Sequence, residues 1–556
     1  MPSRTKTPTS PKAAIRCEGL IVEVGTEGLS ASKALALAKR VAKEQLSGSW
    51  TVRRFAGQTR TFEIFPASGR QRTVGRYWEC AALLNEHRDV VDAEPALVLP
   101  GIDPAPDQVM TSRALAQKPK SFGGSAPLSC STEADWSLDF CSVPEAWAAS
   151  PAGRRHGRGI RIAHPDTGYT RHPDFFDPAR ILVAEGFDFE DGNQDPRDEL
   201  VGKAPGHGSA TGSVILSDLG PDVTPHVTGV APAAELVPLR VSTSVVHLSF
   251  RKLAKAIHFA ADKPEAERPH VLSMSLGGPF KARYLRKALR KAIERGIIPI
   301  AAAGNVWPFV VYPARYREIL AIAACNCRGR PWSKSAAGGT VDLSAPGESV
   351  WRARVRENGD FEVGPSDGTS YATAMTAGAC ALWLAHHGYD SLVARYGRAN
   401  LAAVFGETLR QTVVAPAGWD PDRFGAGILD AEKLLAAPLP LTAPALVTAK
   451  AAGPMSDLGE YFPGVAPSSL RRAVRQVLQA GDQELEPGLQ VIGDELEFHV
   501  ATNPDFRARI AALCSRAKAK QLPKSSPAPS KLLGKAASKA LLGRMTSGAG
   551  PSGGGA

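Results

Sequence analysis

The chain has no stretch near the ~20 consecutive apolar residues that a membrane helix needs, which excludes a helical span. No apolar run follows its charged start, Met1-Pro2-Ser3-Arg4-Thr5-Lys6, so no secretory signal is expected. The expected location is the cytoplasm, with unconventional export left open. The eight cysteines are scattered and show no zinc-ligand spacing. Cys325 and Cys327 are too close for an ordinary bridge, and reduced, mostly buried thiols are the default expectation. The net charge of +11 comes without aromatic residues interleaved among the basic ones, and part of it lies in the two tails, so no specific nucleic-acid partner is expected. What is present is a globular composition, 43% hydrophobic over 556 residues, which is too long for one core.

Residues 1–16 are polar and basic and are expected to be disordered. Residues 17–100 carry the pattern β-α-β-β-α-β, which points to a small α+β ferredoxin-like domain. Ser30 caps the first helix of that pattern, with Leu35, Ala38, Val41, Ala42 and Leu46 on one face. Residues 101–133, rich in Pro, Ser, Gly and Ala, read as a linker. From 134 to 438 short apolar strands alternate with amphipathic helices, which predicts an α/β domain with a mainly parallel sheet and helices on both faces. Residues 439–517 read as a small C-terminal helical region, with a strand or two expected within 489–500. Residues 518–556 read as a disordered basic tail, solubilising rather than binding nucleic acid or acidic lipid.

The α/β segment carries four polar positions at expected strand ends and helix starts. Asp166 follows a strand, in Asp166-Thr167-Gly168. His207 opens a helix, in Gly206-His207-Gly208. Asn305 follows a strand, and Ser370 stands where Gly368-Thr369 turns into an Ala-rich helix. Taken singly, a turn aspartate, a capping histidine, a left-handed asparagine and an N-cap serine explain them. Together they form a reaction kit. A serine hydroxyl is a poor nucleophile at neutral pH and needs a histidine base. The histidine needs a carboxylate to fix its tautomer and stabilise its cation. The oxyanion needs fixed donors, which an asparagine amide and the Ser370 N–H supply.

The order Asp166…His207…Ser370, with Gly229-Val230-Ala231-Pro232, Ser273-Met274-Ser275-Leu276-Gly277-Gly278, Ser344-Ala345-Pro346-Gly347 and Gly425-Ala426-Gly427-Ile428-Leu429-Asp430-Ala431, resembles the subtilisin-like serine proteases over roughly 134–438. The resemblance implies a three-layer α/β fold and peptide-bond hydrolysis through an acyl-enzyme, with no cofactor required. It implies Ser370 as nucleophile, His207 as base and acid, Asp166 as its orienter and Asn305 as oxyanion donor. Ser275, Leu276 and Gly277 resemble the strand that pairs with an extended substrate backbone. By the same resemblance residues 17–100 look like a propeptide, the protein's own intramolecular inhibitor, with the processing site in or beside 101–133.

The chain departs from that family in places. Gly-Ser-Ala-Thr-Gly follows His207, where Gly-Thr-His-Val is usual, and Ala372-Thr373-Ala374-Met375 replaces Ala-x-Pro-His. The segment 305–314, with Trp307, Phe309, Val310 and Val311, is short. An apolar S1 region and aromatic core packing are both open readings of it. Seven carboxylates between 185 and 199 fit a solvated loop, a Ca²⁺ loop or a site for basic substrate residues. Asp174, in Arg171-His172-Pro173-Asp174, resembles a calcium ligand without an identifiable partner loop, so Ca²⁺ is not assignable. A non-catalytic peptide-binding module on the same fold is the alternative function. The intact four-residue set speaks against it.

Overall fold

The computed structural model describes residues 16–25, 28–69, 72–98, 133–172, 179–218, 226–246, 249–444, 454–515 and 528–546. The expected N-terminal disorder, almost all of the 101–133 linker with its processing site, and Asp174 lie outside the described residues. The chain divides into two compact units, residues 1–103 with 535–539, and the remainder.

The first unit follows the expected order: β1 (Arg16–Val24), α1 (Ala31–Gln45), β2 (Trp50–Arg54), β3 (Thr61–Pro66), α2 (Val74–Asn85) and β4 (Val90–Val98). Its strands form an antiparallel sheet in the order β2-β3-β1-β4. Ser30 accepts a hydrogen bond from the Lys33 N–H, as its capping position predicts. Ala34, Ala38, Val41 and Ala42 form the buried face of α1, while Leu35 is only half-buried. Residues 535–539 belong to this unit, and the Lys539 N–H donates to Glu79 on α2 at 3.3 Å.

The second unit opens with α3 (Trp136–Phe140) and α4 (Val143–Ala149), followed by β5 (Arg161–Asp166), β6 (Phe187–Asp188), α5 (His207–Leu216), β7 (Glu235–Arg240), α6 (Phe250–Asp262), β8 (Val271–Met274), α7 (Arg283–Glu294), β9 (Ile298–Ala302), β10 (Leu320–Cys325) and β11 (Leu343–Pro346). The seven strands pair in the order β11-β10-β9-β8-β5-β7-β6, and every pairing is parallel. From β5 the chain places edge strand β6, fills in β7 between them, then crosses to the other side of β5 and builds outward through β8 to β11. The strand order therefore reverses beside β5, where an open parallel sheet leaves a crevice at its carboxyl edge.

A hairpin that the sequence reading did not anticipate, β12 (Val350–Val355) with β13 (Phe361–Ser366), separates β11 from α8 (Thr369–His387). Helix α8 is buried from Thr369 to Ala385, as a helix apolar on all sides must be, and packs across β8 to β11. Helices α9 (Tyr389–Tyr396), α10 (Leu401–Thr412), α11 (Pro421–Phe424) and α12 (Ala431–Ala436) complete the α/β layer.

Beyond it lie α13 (Pro454–Gly459), α14 (Pro467–Leu478), α15 (Leu485–Thr502) and α16 (Pro504–Cys514). The strand expected within 489–500 is instead part of α15. Leu485, Leu489, Ile492, Leu496 and Val500 are all buried, and their spacing is that of one helical face. Part of the tail expected to lack structure is also folded. Helices Pro529–Leu533 and Lys539–Thr546 bury Leu533, Leu541 and Met545.

Six cysteines are free and buried, as expected, but Cys327 is disulfide-bonded, which corrects the all-reduced reading. Among the described residues no helix is long and apolar enough to cross a membrane.

Several histidines of this unit are held neutral by burial, among them His258, His270 and His387. Desolvation pushes His258 and His270 down to about 4, helped by Lys291 and Arg161 respectively. His270 Nδ1 also accepts the Arg161 N–H at 3.0 Å, a bond that protonation there would break. In the unfolded chain both titrate near 6.5. Between pH 6.5 and 4 the unfolded state therefore binds protons that the folded state does not. Stability is full above this window and falls as pH drops through it, by up to about 3 kcal/mol per histidine. The thermal midpoint should decline steadily from pH 7 to pH 4. That slope should be clearly shallower in a His258→Gln/His270→Gln double variant, the remainder coming from His387 and the other buried histidines. A flat profile in the parent would refute the assignment.

Candidate active site

Asp166 ends β5 beside the point where the strand order reverses, and its side chain is fully buried. His207 is the first residue of α5, and an Nδ1···Oδ1 contact of 2.8 Å joins it to Asp166. The Asp166 Oδ1 also accepts the Thr167 N–H at 2.7 Å. Burial pushes the Asp166 carboxyl up, but His207 and the hydrogen bonds it accepts outweigh this and hold it below the usual carboxylate range. It is therefore a charged partner for His207 at working pH.

The strand end and the helix start are locked together by residues the sequence did not single out for this role. Thr167 Oγ1 donates to Asp198 Oδ2 at 2.6 Å and accepts the Gly208 N–H at 3.0 Å. The same Asp198 oxygen accepts the Gly206 N–H at 2.8 Å. The approach is so close that a Cβ on residue 208 would lie 2.0 Å from the Gly168 carbonyl oxygen. Glycine is required there by space. Beneath the pair, His164 is buried with Nε2 3.9 Å from Asp166 Oδ2 and 3.0 Å from Thr211 Oγ1. Desolvation lowers the pKa of His164 despite the neighbouring Asp166.

Ser370 is the second residue of α8, among the first N–H groups of a helix, where the dipole favours negative charge. Its hydroxyl donates to the Ser275 carbonyl oxygen at 3.3 Å, and the Ser275 hydroxyl donates back to the Ser370 carbonyl at 3.0 Å. Among the described residues no hydrogen bond joins Ser370 to His207 in this rotamer. Rotation about χ1 is the freedom a nucleophile at that position retains.

Asn305 lies just past β9. Its Oδ1 accepts both the Thr369 N–H at 3.0 Å and the Thr369 hydroxyl at 2.6 Å, while the Gly304 N–H donates to the same hydroxyl at 3.2 Å. Because a backbone N–H only donates, these bonds fix which atom of the amide is oxygen. The remaining amide N–H groups are left for a ligand. Thr369, seen in the sequence only as part of a Gly-Thr-Ser turn, is thus the residue that aims Asn305.

Ser370, Thr369, Asn305, Ser275, Leu276 and Gly277 border one open cleft. Val245, Val246, Ala302, Trp307 and Val311 make the rest of it mostly apolar. The two readings of 305–314 both find residues. Trp307 lines the cleft, whereas Phe309 packs edge-on against Tyr461 at 4.6 Å in the core. The Gly277 N–H is already engaged, donating to the Val245 carbonyl at 3.2 Å.

The acidic run is solvated at Asp191, Asp195 and Glu199 but anchored at buried Asp188 and Asp198. Buried Arg240 binds Asp188 at 2.6 Å, Asp191, and Glu199 at 3.3 Å. Glu190 pairs with Lys252 at 2.7 Å, Glu185 with Arg161 at 3.3 Å, and Asp195 with Arg197. With Asp198 committed to Thr167, all seven carboxylates have partners inside the protein. No group of three or more His, Cys, Asp or Glu side chains among the described residues is arranged to hold a metal ion.

Comparison with known proteins covers this same region. A family profile described as the subtilase family matches residues 157–427. Subtilisin Savinase of Lederbergia lenta is 31% identical over 227 residues, spanning 41% of this chain and 76% of the relative. The major intracellular serine protease of Bacillus subtilis is 28% identical over 253 residues, 44% of this chain and 73% of the relative. Among solved structures, a protease from Pseudoalteromonas arctica aligns with a TM-score of 0.46 at 24% identity, covering 54% of this chain and 97% of that one.

Proposed function

From the premise that the chain belongs to the subtilase family and is a serine endopeptidase, we propose that it cleaves peptide bonds through an acyl-enzyme on Ser370, and that it is made as a zymogen. The observation that carries the reading is the 2.8 Å contact between buried, charged Asp166 and His207, together with Ser370 at the start of α8, a helix that packs against α5, the helix His207 opens. In this mechanism His207 Nε2 takes the Ser370 proton as Oγ attacks the scissile carbonyl. Asp166 holds the Nδ1–H tautomer and stabilises the resulting imidazolium. The Asn305 amide and the Ser370 N–H receive the oxyanion. His207 then protonates the leaving amine, and water repeats the sequence to release the acid. No metal or cofactor enters any step.

The mostly apolar cleft beside Ser370 favours uncharged P1 residues. The first unit is read as the intramolecular inhibitor, released by cleavage within 101–133. The cytoplasmic placement rests on six buried free thiols, and the Cys327 disulfide pulls against it.

Hydrolysis of internally quenched peptides, blocked by serine-directed inhibitors, tests the reading. Asn305→Ala gives the sharper result. It removes a donor that acts only on the developing oxyanion, so kcat should fall by about 10²–10³ with KM nearly unchanged. A KM effect with kcat intact would mean that Asn305 binds ground-state substrate instead.

A further inference from the structure

The C-terminal helices lie outside the segment that matches the subtilase family, yet they meet the cleft wall through buried polar groups. Gly277 and Val311 line the cleft, and a Cβ on residue 277 would lie 2.6 Å from a Val311 methyl. The next residue on each side forms an antiparallel bridge: Tyr312 N–H to the Gly278 carbonyl at 2.8 Å, and Gly278 N–H to the Tyr312 carbonyl at 2.9 Å. This bridge is gripped from behind. The Tyr312 hydroxyl donates to Glu497 Oε1, on α15, at 2.7 Å. The Tyr461 hydroxyl lies 3.0 Å from both the same Glu497 oxygen and the Pro279 carbonyl oxygen, and donates its one proton to either. The Arg315 guanidinium lies 4.0 Å from the centre of the Tyr461 ring, with Nη1 3.9 Å from Glu497. Glu497, Tyr312, Tyr461 and Arg315 are each at most 5% exposed.

Burying a carboxylate is expensive, and a well-packed apolar replacement often does as well for stability. A buried carboxylate that holds both strands of one pocket wall fits a role in geometry. We propose that Glu497 is a positioning residue for substrate selection: by holding Tyr312 and Tyr461 it fixes the Gly278–Tyr312 bridge, and so the width of the apolar pocket beside Ser370. The C-terminal helices are in this view part of the protease, the back wall of its P1 site. The proposal rests on the endopeptidase reading above.

The test compares wild type with Glu497→Gln, Glu497→Leu and Tyr312→Phe on peptide amides that differ only at P1, alanine against phenylalanine. Labelling of Ser370 by a fluorophosphonate is followed in parallel, with thermal midpoints as a check on folding. Tyr312→Phe removes a single oxygen and keeps the packing, so it remains informative if Glu497→Leu fails to fold. In Tyr312→Phe and Glu497→Leu, kcat/KM for the phenylalanine substrate should fall about tenfold, through KM, while the alanine substrate and the labelling rate stay within about twofold. Glu497→Gln, which keeps the acceptor, should restore the phenylalanine preference. An equal loss on both substrates, or an unchanged P1 preference in the folded variants, overturns the proposal. A wild type that neither labels nor cleaves overturns the endopeptidase reading itself.

Discussion

Ser370→Ala should lower kcat on the order of 10⁶-fold, the scale for losing one member of a cooperating triad. Wild-type protein should lose its N-terminal unit by cleavage within 101–133, while the variant stays at full length. Ser370 sits at the buried start of α8, with Asn305 aimed by Thr369 on one side and the Asp166–His207 pair ending the adjoining elements. Removing one oxygen from such a buried site leaves the packing of an Ala-rich helix unchanged, so the thermal midpoint should move little. Intact mass and peptide turnover check both halves. Processing that persists in the variant would assign the cleavage to another protease and remove the zymogen reading.

Asp166→Asn should lower kcat about 10⁴-fold. The carboxylate is fully buried and held in its charged form by His207 and the Thr167 N–H. An amide of the same shape preserves the packing and removes the charge that stabilises the imidazolium in the transition state. Since the Asp166 pKa lies below the usual carboxylate range, the acid limb of the wild-type kcat/KM profile should not report Asp166 ionisation. Rates on a quenched peptide from pH 5 to pH 9, alongside thermal midpoints, measure this. A loss below tenfold would show that His207 does not need this carboxylate.

Much of this was legible in the sequence because each triad member stands where the chain changes texture: strand to loop at Asp166, loop to helix at His207, and glycine turn to Ala-rich helix at Ser370. The parallel sheet followed from strand–helix alternation. What escaped depends on three-dimensional meeting. Asp198 is one of seven carboxylates in a short run, and nothing local separates the one that clamps Thr167 and Gly206 from the three that neutralise Arg240. Glu497 meets Tyr312 across 185 positions of sequence. Other misses were available locally. The β12–β13 hairpin turns at Asn358-Gly359, an ordinary turn signal, with Gly359 at φ +85°. The apolar spacing from Leu485 to Val500 was helical throughout. In the tail, Leu533, Ala537, Leu541 and Met545 recur every four residues, a pattern masked by the surrounding lysines.

The most direct test of the central claim is peptide-mapped mass spectrometry of the wild-type chain after reaction with a fluorophosphonate. The account predicts one adduct, on Ser370, that disappears in His207→Ala and is strongly slowed in Asp166→Asn. A folded wild type that carries no adduct, or carries it on a different serine, would contradict the assignment of Ser370 as nucleophile.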